Sequence, residues 1–412
     1  MISRGRLCVS IAFLILVPAC ASSETSTIVS LASSTIASTT SSTSMALMSS
    51  TTITTTTTTH APTTLPLLEG PLPLPDFFDR TLRMYTLDAG ARDVSVAVMY
   101  GGQVIHTYAD SAVKSSRVVN PQTTFRIASV SKVVTAETAM TLVDQGLLQL
   151  DEPIVGLVAD NIGLTLADER ARDITVRQLL SHTSGISNFL KIFFEAGSYD
   201  QMSMLTEVLG QALETEPGST YKYSNVNFIL LGKAIELVTG LSYQDAVNQL
   251  VLSPLGLQSF RLVGTYEFGP SDALHAVSGG RTYMEQLGAA GAWVATASDV
   301  AKLLDSIDWR SPSRHVVSNE NMKLMLEPAT PQGVTPLWNY GLGLRLFTSG
   351  DWGHSGSIEN VHAMVLHRPD GLVVSVLVNG VKPKETDDLI LAIDEAVLAS
   401  HTGVAATTTV AP

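Results

Sequence analysis

Strand-like alternation stands at both ends of this chain, and helix-like periodicity fills the space between. Near the front, Val94, Val96 and Val98 alternate with Ser95 and Ala97, a period of two. Gly101-Gly102 follows, then Val104-Ile105-His106-Thr107-Tyr108, so the two runs read as a hairpin. Near the end, residues 361–367 and 372–378 flank Arg368-Pro369-Asp370-Gly371, a turn signal. Residues 340–347 alternate with glycines and read as a further strand. Between 135 and 250 the pattern is helical, with Gly146, Pro217-Gly218 and Gly240 as stops. Further helices are expected at 76–85, at 298–307 with Ser298 or Thr296 as cap, and at 385–398. The simplest solution is an α+β fold: an antiparallel sheet built from both chain ends and flanked by helices, with an inserted mostly helical region. The expected division is an α/β part at about 76–135 and 290–400 and a helical part at about 136–289, within one domain at 65–400.

The first 64 residues do not belong to that pattern. Arg4 and Arg6 precede a short apolar run that ends near Pro18, and small residues follow at Ala19 and Ala21. This reads as an export signal over residues 1–21. Two processing readings stay open: cleavage at Ala19-Cys20-Ala21, or lipidation of Cys20 in Val17-Pro18-Ala19-Cys20, which would tie the chain to a membrane. Residues 22–64 are about two-thirds Ser and Thr, with six consecutive threonines from Thr54 to Thr59. Such a tract buries too little surface to offset its chain entropy, and it is expected to be a disordered tether. The Thr- and Ala-rich residues 401–412 are expected to be a loose tail. The expected location is therefore outside the cytoplasm, secreted or lipid-anchored at the cell envelope.

Composition removes other classes. Of the 412 residues, 25 are Lys or Arg and 38 are Asp or Glu, a net charge of −13. A chain this acidic does not neutralise phosphates, so no nucleic-acid partner is expected. Cys8 and Cys20 are the two cysteines, and both lie in the leader. That excludes a disulfide scaffold, a cysteine zinc site and an iron–sulfur cluster. His182 has apolar or small neighbours and no H-E-x-x-H pattern, so it reads as a structural histidine. No metal and no cofactor are expected. Oligomeric state is not legible.

Three short stretches carry chemistry. In Ser129-Val130-Ser131-Lys132, Ser129 and Lys132 are three apart and share a face if a helix begins near Ser129. A serine hydroxyl needs a base, and a lysine serves only if burial depresses its pKa. The apolar surroundings would supply that burial. Tyr223-Ser224-Asn225 precedes an apolar helix; a tyrosine hydroxyl near Ser129 could relay a proton, and Asn225 could hold both Lys132 and a substrate amide. Gly353-His354-Ser355-Gly356-Ser357 enters the late strands. Gly356 would let a substrate lie along the strand, and the N–H of Ser357 could face an oxyanion. His354 could supply a proton or a positive charge near a substrate carboxylate. Each stretch alone is also compatible with a helix cap or a polar turn.

Together, and in this order, they resemble the serine β-lactamase and penicillin-binding-protein superfamily, in which S-x-x-K, Tyr-x-Asn and a K-T-G-like triplet line one cleft. The resemblance is to the class C-like branch of D-alanyl-D-alanine carboxypeptidases, class C β-lactamases and related esterases, and it runs from about Phe78 to Leu398. It implies that Ser129 is acylated, that Lys132 is its base, and that Tyr223 shuttles the proton. It further implies that Asn225, His354 and Gly356 bind substrate, and that the N–H groups of Ser129 and Ser357 form the oxyanion hole. The triplet here is His354-Ser355-Gly356 rather than K-T-G, which puts efficient β-lactam turnover in doubt. The implied substrate is a D-alanyl peptide of the cell wall, with a β-lactam or a small ester as alternatives. An α/β-hydrolase reading of residues 353–357 fails, because strands rather than a helix follow. A non-catalytic surface module that binds cell-wall peptide is the reading from another class.

Overall fold

The computed structural model describes residues 70–113, 117–188, 193, 200–330, 334–380 and 388–404. The expected export signal, the tether, Cys20 and the end of the tail lie outside the described residues.

Ten strands are present among the described residues: β1 (Ala91–Tyr100), β2 (Gln103–Ser111), β3 (Phe125–Arg126), β4 (Arg261–Leu262), β5 (Trp293–Ala295), β6 (Trp338–Tyr340), β7 (Arg345–Phe347), β8 (Trp352–Ile358), β9 (Val361–His367) and β10 (Val373–Gly380). Seven form one sheet in the order β2-β1-β10-β9-β8-β7-β6, and each neighbouring pair is antiparallel. The hairpin turns at Gly101-Gly102, where Tyr100 pairs with Gln103. β1 also pairs with β10, with Val94 opposite Val378 and Val98 opposite Val374. The first and last of these strands thus lie side by side in the sheet.

Period-two alternation sends alternate residues to opposite faces. Val94, Val96 and Val98 join Val374, Val376 and Val378 in a core with Phe78, Leu82, Leu389 and Ile393. Those last four belong to the opening helix Pro75–Tyr85 and the closing helix Asp388–Thr402. Ala97, Met99, Val373 and Leu377 face the other, larger core. That core contains the helix Ser131–Asp144, buried from Ser131 to Leu142, and the helix Ala297–Asp305, whose N-cap is Thr296. Covering both faces explains why the sheet strands are apolar almost throughout. The helical block packs the helix Asn225–Thr239 against Ser131–Asp144.

Three expectations are corrected. Residues 340–347 form two short strands rather than one, separated by a turn at 341–344. Gly343 sits there at φ 84°, and a Cβ on it would lie 2.3 Å from the Ala136 Cβ. The break therefore lets this turn seat against the Ser131–Asp144 helix. Within the helical stretch expected at 135–250, the apolar pattern of residues 202–213 yields a helix that ends at Leu209. The closing helix continues to Thr402, past the expected start of the tail. His401 and Thr402 return hydrogen bonds to the carbonyls of Val397 and Leu398, and Gly403 ends the helix at φ 67°.

Candidate active site

A second, three-stranded sheet of order β3-β5-β4 aims the chain at the site. β3 ends at Arg126, the Ile127 N–H donates to the Trp293 carbonyl at 3.1 Å, and a short 3₁₀ turn follows over Ala128–Val130. Ser129 sits in this turn, two residues before the α-helix rather than inside it. Ala128 just before it has φ 46°, a left-handed conformation that a non-glycine residue adopts only under constraint from its surroundings.

The constraint is visible in β8. β7 pairs with β8 only at Trp352 and Gly353, so the stretch 354–358 has no strand on that side among the described residues. It lies against the Ser129 turn instead. A Cβ on Gly356 would fall 2.4 Å from the Ile127 carbonyl oxygen and 2.8 Å from the Ser129 nitrogen. Only glycine lets these two backbones come that close.

Lys132 is fully buried on the first turn of the Ser131–Asp144 helix. Its Nζ donates to Asn225 Oδ1 at 2.8 Å and to the Ala290 carbonyl at 2.8 Å, and it lies 3.3 Å from Ser129 Oγ. Burial, and then the charge of Arg345, push its pKa well below that of an ordinary lysine. Tyr223 hydrogen-bonds to Ser129, and burial raises its pKa to about 12, so it keeps its proton at neutral pH. Lys132 Nζ also stands 4.9 Å from the Tyr223 ring centre. Asn225 opens the Asn225–Thr239 helix and donates its backbone N–H to Asn188 Oδ1 at 2.7 Å. With Oδ1 committed to Lys132, its Nδ2 remains to meet a substrate. Ser129, Asn188, Tyr223, Asn225, Leu287 and Ser357 line a cleft of about 250 Å³.

These contacts gather residues from four separated segments into the pattern expected of an acylating serine, its amine base and a phenolic proton donor. The beta-lactamase family model matches residues 78–398. The chain belongs to the beta-lactamase family. As a member, it is 33% identical over 140 residues to penicillin-binding protein 4 of Amycolatopsis lactamdurans, covering 34% of this chain and 36% of that one. It is 30% identical over 196 residues to esterase EstB of Burkholderia gladioli, covering 44% and 48%. These matches thus span between a third and a half of each relative's length. Among solved structures, the D-amino acid amidase of Ochrobactrum anthropi superposes with a TM-score of 0.64 at 23% identity, over 78% of this chain and 98% of that one. A penicillin-binding protein homologue from Pyrococcus abyssi gives 0.63 at 23% identity, over 77% and 76%. The solved structures establish the β-lactamase/transpeptidase-like fold, and the family match over residues 78–398 places the chain in the serine β-lactamase and penicillin-binding-protein superfamily.

His354 departs from its expected place. It is on β8, but its side chain is fully buried under the cleft rather than in it. Its Nε2 is 2.9 Å from the Tyr340 hydroxyl and its Nδ1 is 2.6 Å from the Ser355 carbonyl. Burial, then Arg345, hold its pKa well below the usual histidine value. A neutral ring sealed there does not pair with a substrate carboxylate. It props an aromatic floor instead: the Tyr340 ring lies 5.0 Å from that of His182, which lies 4.2 Å from that of Tyr223. His182 is the structural histidine expected; its Nδ1 accepts from the Ser224 N–H at 3.2 Å.

One side chain that lines the cleft, and one charge that reaches it from outside, went unread in the sequence. Asn188 lines the cleft beside Asn225. Arg345, on β7 and stacked 4.8 Å from the Trp338 ring, is the cation whose charge reaches Lys132, Tyr223, His182 and His354. The signal for Arg345 was a lone basic residue at the end of Tyr340-Gly341-Leu342-Gly343-Leu344-Arg345.

Proposed function

We propose that this family member is an exported serine hydrolase that works through an acyl-enzyme on D-alanyl-D-alanine cell-wall peptides. The observation that carries the reading is the buried Lys132 amine, 3.3 Å from Ser129 Oγ and held by Asn225. Lys132 takes the Ser129 proton, and Oγ attacks the carbonyl of the penultimate D-alanine. The N–H groups of Ser129 and Ser357 hold the resulting oxyanion. Tyr223 gives its proton to the leaving amine, and D-alanine departs. Water then attacks the acyl carbonyl and gives a proton back to Tyr223, while Lys132 returns its proton to Ser129 Oγ.

The charge of Arg345, which reaches Lys132 and Tyr223, supports an anionic substrate such as a D-alanyl peptide, which ends in a carboxylate. The inward position of His354 supports slow turnover of β-lactams, because the usual cation of the triplet is absent from the strand. The basic, apolar and small-residue order of the leader supports export, with Cys20 as the anchoring residue. A desolvated amine against a serine favours an enzyme over a non-catalytic peptide-binding module, which has no use for one. The test compares the purified chain on a D-Ala-D-Ala peptide, a chromogenic cephalosporin and a p-nitrophenyl ester. The reading predicts D-alanine release that Ser129→Ala abolishes. Ester cleavage with no D-alanine release would move the assignment to an esterase.

A further inference from the structure

The two backbone groups assigned to the oxyanion belong to different elements, the Ser129 turn and β8. A line of buried polar contacts joins those elements behind the cleft. Arg126, three residues before Ser129, donates from Nη1 to the Tyr283 hydroxyl at 3.0 Å. The Tyr283 hydroxyl donates to Glu359 Oε2 at 3.1 Å. Glu359 stands two residues after Ser357, in the turn between β8 and β9.

Each end of the line is fixed independently. Arg126 Nη2 donates to the carbonyls of Gly264 and Thr265 at 3.1 and 2.6 Å. Glu359 Oε1 accepts from Arg281 Nη1 at 2.8 Å, and the Glu359 side chain is 6% exposed. Tyr283 is fully buried. Glu359 has φ 47°, a region where glycine or asparagine is the ordinary choice in so tight a turn. A glutamate held there points to a use for its side chain. None of the three residues lines the cleft.

We propose that Arg126, Tyr283 and Glu359 form a positioning brace that sets the spacing between the Ser129 and Ser357 N–H groups. The brace deepens the acyl-enzyme reading above and rests on it. Tyr283 suits the task because its rigid phenol accepts from Arg126 and donates to Glu359 at one oxygen. Burial keeps that hydroxyl protonated. Movement of either donor weakens a hole aimed at the transition state more than it weakens substrate binding.

The test is Tyr283→Phe in the full chain, which removes one oxygen and keeps the ring. The brace predicts that kcat on a p-nitrophenyl ester falls about tenfold, less than the ~10²–10³ that outright loss of an oxyanion donor costs. KM should change less than about twofold. Affinity for phenylboronic acid, which forms a tetrahedral adduct on the serine, should fall in step with kcat. Glu359→Gln, which retains an acceptor for Tyr283, should keep more activity than Glu359→Ala; this pair decides the matter if Tyr283→Phe does not fold. A folded Tyr283→Phe with unchanged kcat and boronate affinity overturns the brace, as does a loss confined to melting temperature or KM. A wild-type chain that fails to label with a fluorophosphonate overturns the serine reading itself, and the brace with it.

Discussion

Lys132 Nζ lies 3.3 Å from Ser129 Oγ with two of its hydrogens already committed, to Asn225 Oδ1 and to the Ala290 carbonyl. A neutral amine has two hydrogens and one lone pair. In the deprotonated state the two hydrogens are spent on those acceptors, and the lone pair is left for the serine proton. The buried pocket favours that state over the ammonium. Geometry and desolvation therefore select the same protonation state.

The pH dependence follows from this. The lowered pKa of Lys132 means that the amine is inactive as its ammonium at low pH and becomes a base as pH rises. Acylation, read as kcat/KM, should rise with pH and level off above that lowered pKa. Lys132→Arg, which stays charged at every accessible pH, should lose ~10³-fold or more. A flat wild-type profile between about pH 5 and 9 would count against the base role.

Asn225→Asp replaces a neutral acceptor with an anion 2.8 Å from Nζ. An opposite charge at that range favours the ammonium, so the rising limb should move to higher pH by about one unit or more. Stopped-flow acylation across pH measures the shift. An unmoved limb would detach Asn225 from Lys132.

Arg345→Met, which removes the charge felt at Lys132, should raise KM for a D-alanyl peptide about threefold more than KM for an ester that lacks a carboxylate, the size of a solvent-screened charge interaction. It should also let the Lys132 pKa rise, since Arg345 helps to depress it. Equal effects on both substrates would remove Arg345 from carboxylate recognition.

Glu137 makes a stability prediction away from the cleft. It is fully buried, and burial raises its pKa to about 8. The Ser306 hydroxyl is 2.6 Å from the Leu303 carbonyl and 2.9 Å from Glu137 Oε1. With its one proton given to Leu303, Ser306 can accept from a protonated Glu137. The folded pKa lies above the unfolded one, so this stabilising contribution is complete below the unfolded value and is lost as pH rises through about 8. The slope is at most about 1.4 kcal/mol per pH unit. Glu137→Gln should flatten the decline in melting temperature between about pH 5 and 8. An identical decline in both proteins would contradict the assignment.

Much of this was legible in the sequence. Alternating valines at 94–98 and the turn at 368–371 gave the two halves of one sheet, because a period of two has few other solutions. Ser129 and Lys132 were legible as a pair because a spacing of three puts them on one helix face; that Tyr223 and Asn225 would meet them was implied by the resemblance of the three motifs taken together. The direction of His354 was not. Alternation tells that His354 and Gly356 share a face of β8, but not that Tyr340 would roof that face over. Arg345 reaches the site only through the β7–β8 pairing, and Tyr283 lies in a segment with no period to read. Both act through contacts more than 75 residues distant in sequence or across strands, which local patterns do not encode.

The most direct test of the whole account is fluorophosphonate labelling of the purified chain, followed by peptide mass spectrometry. One adduct is expected, on Ser129, formed faster as pH rises and absent in Ser129→Ala. An adduct on another serine, or equal labelling of Ser129→Ala, would contradict it.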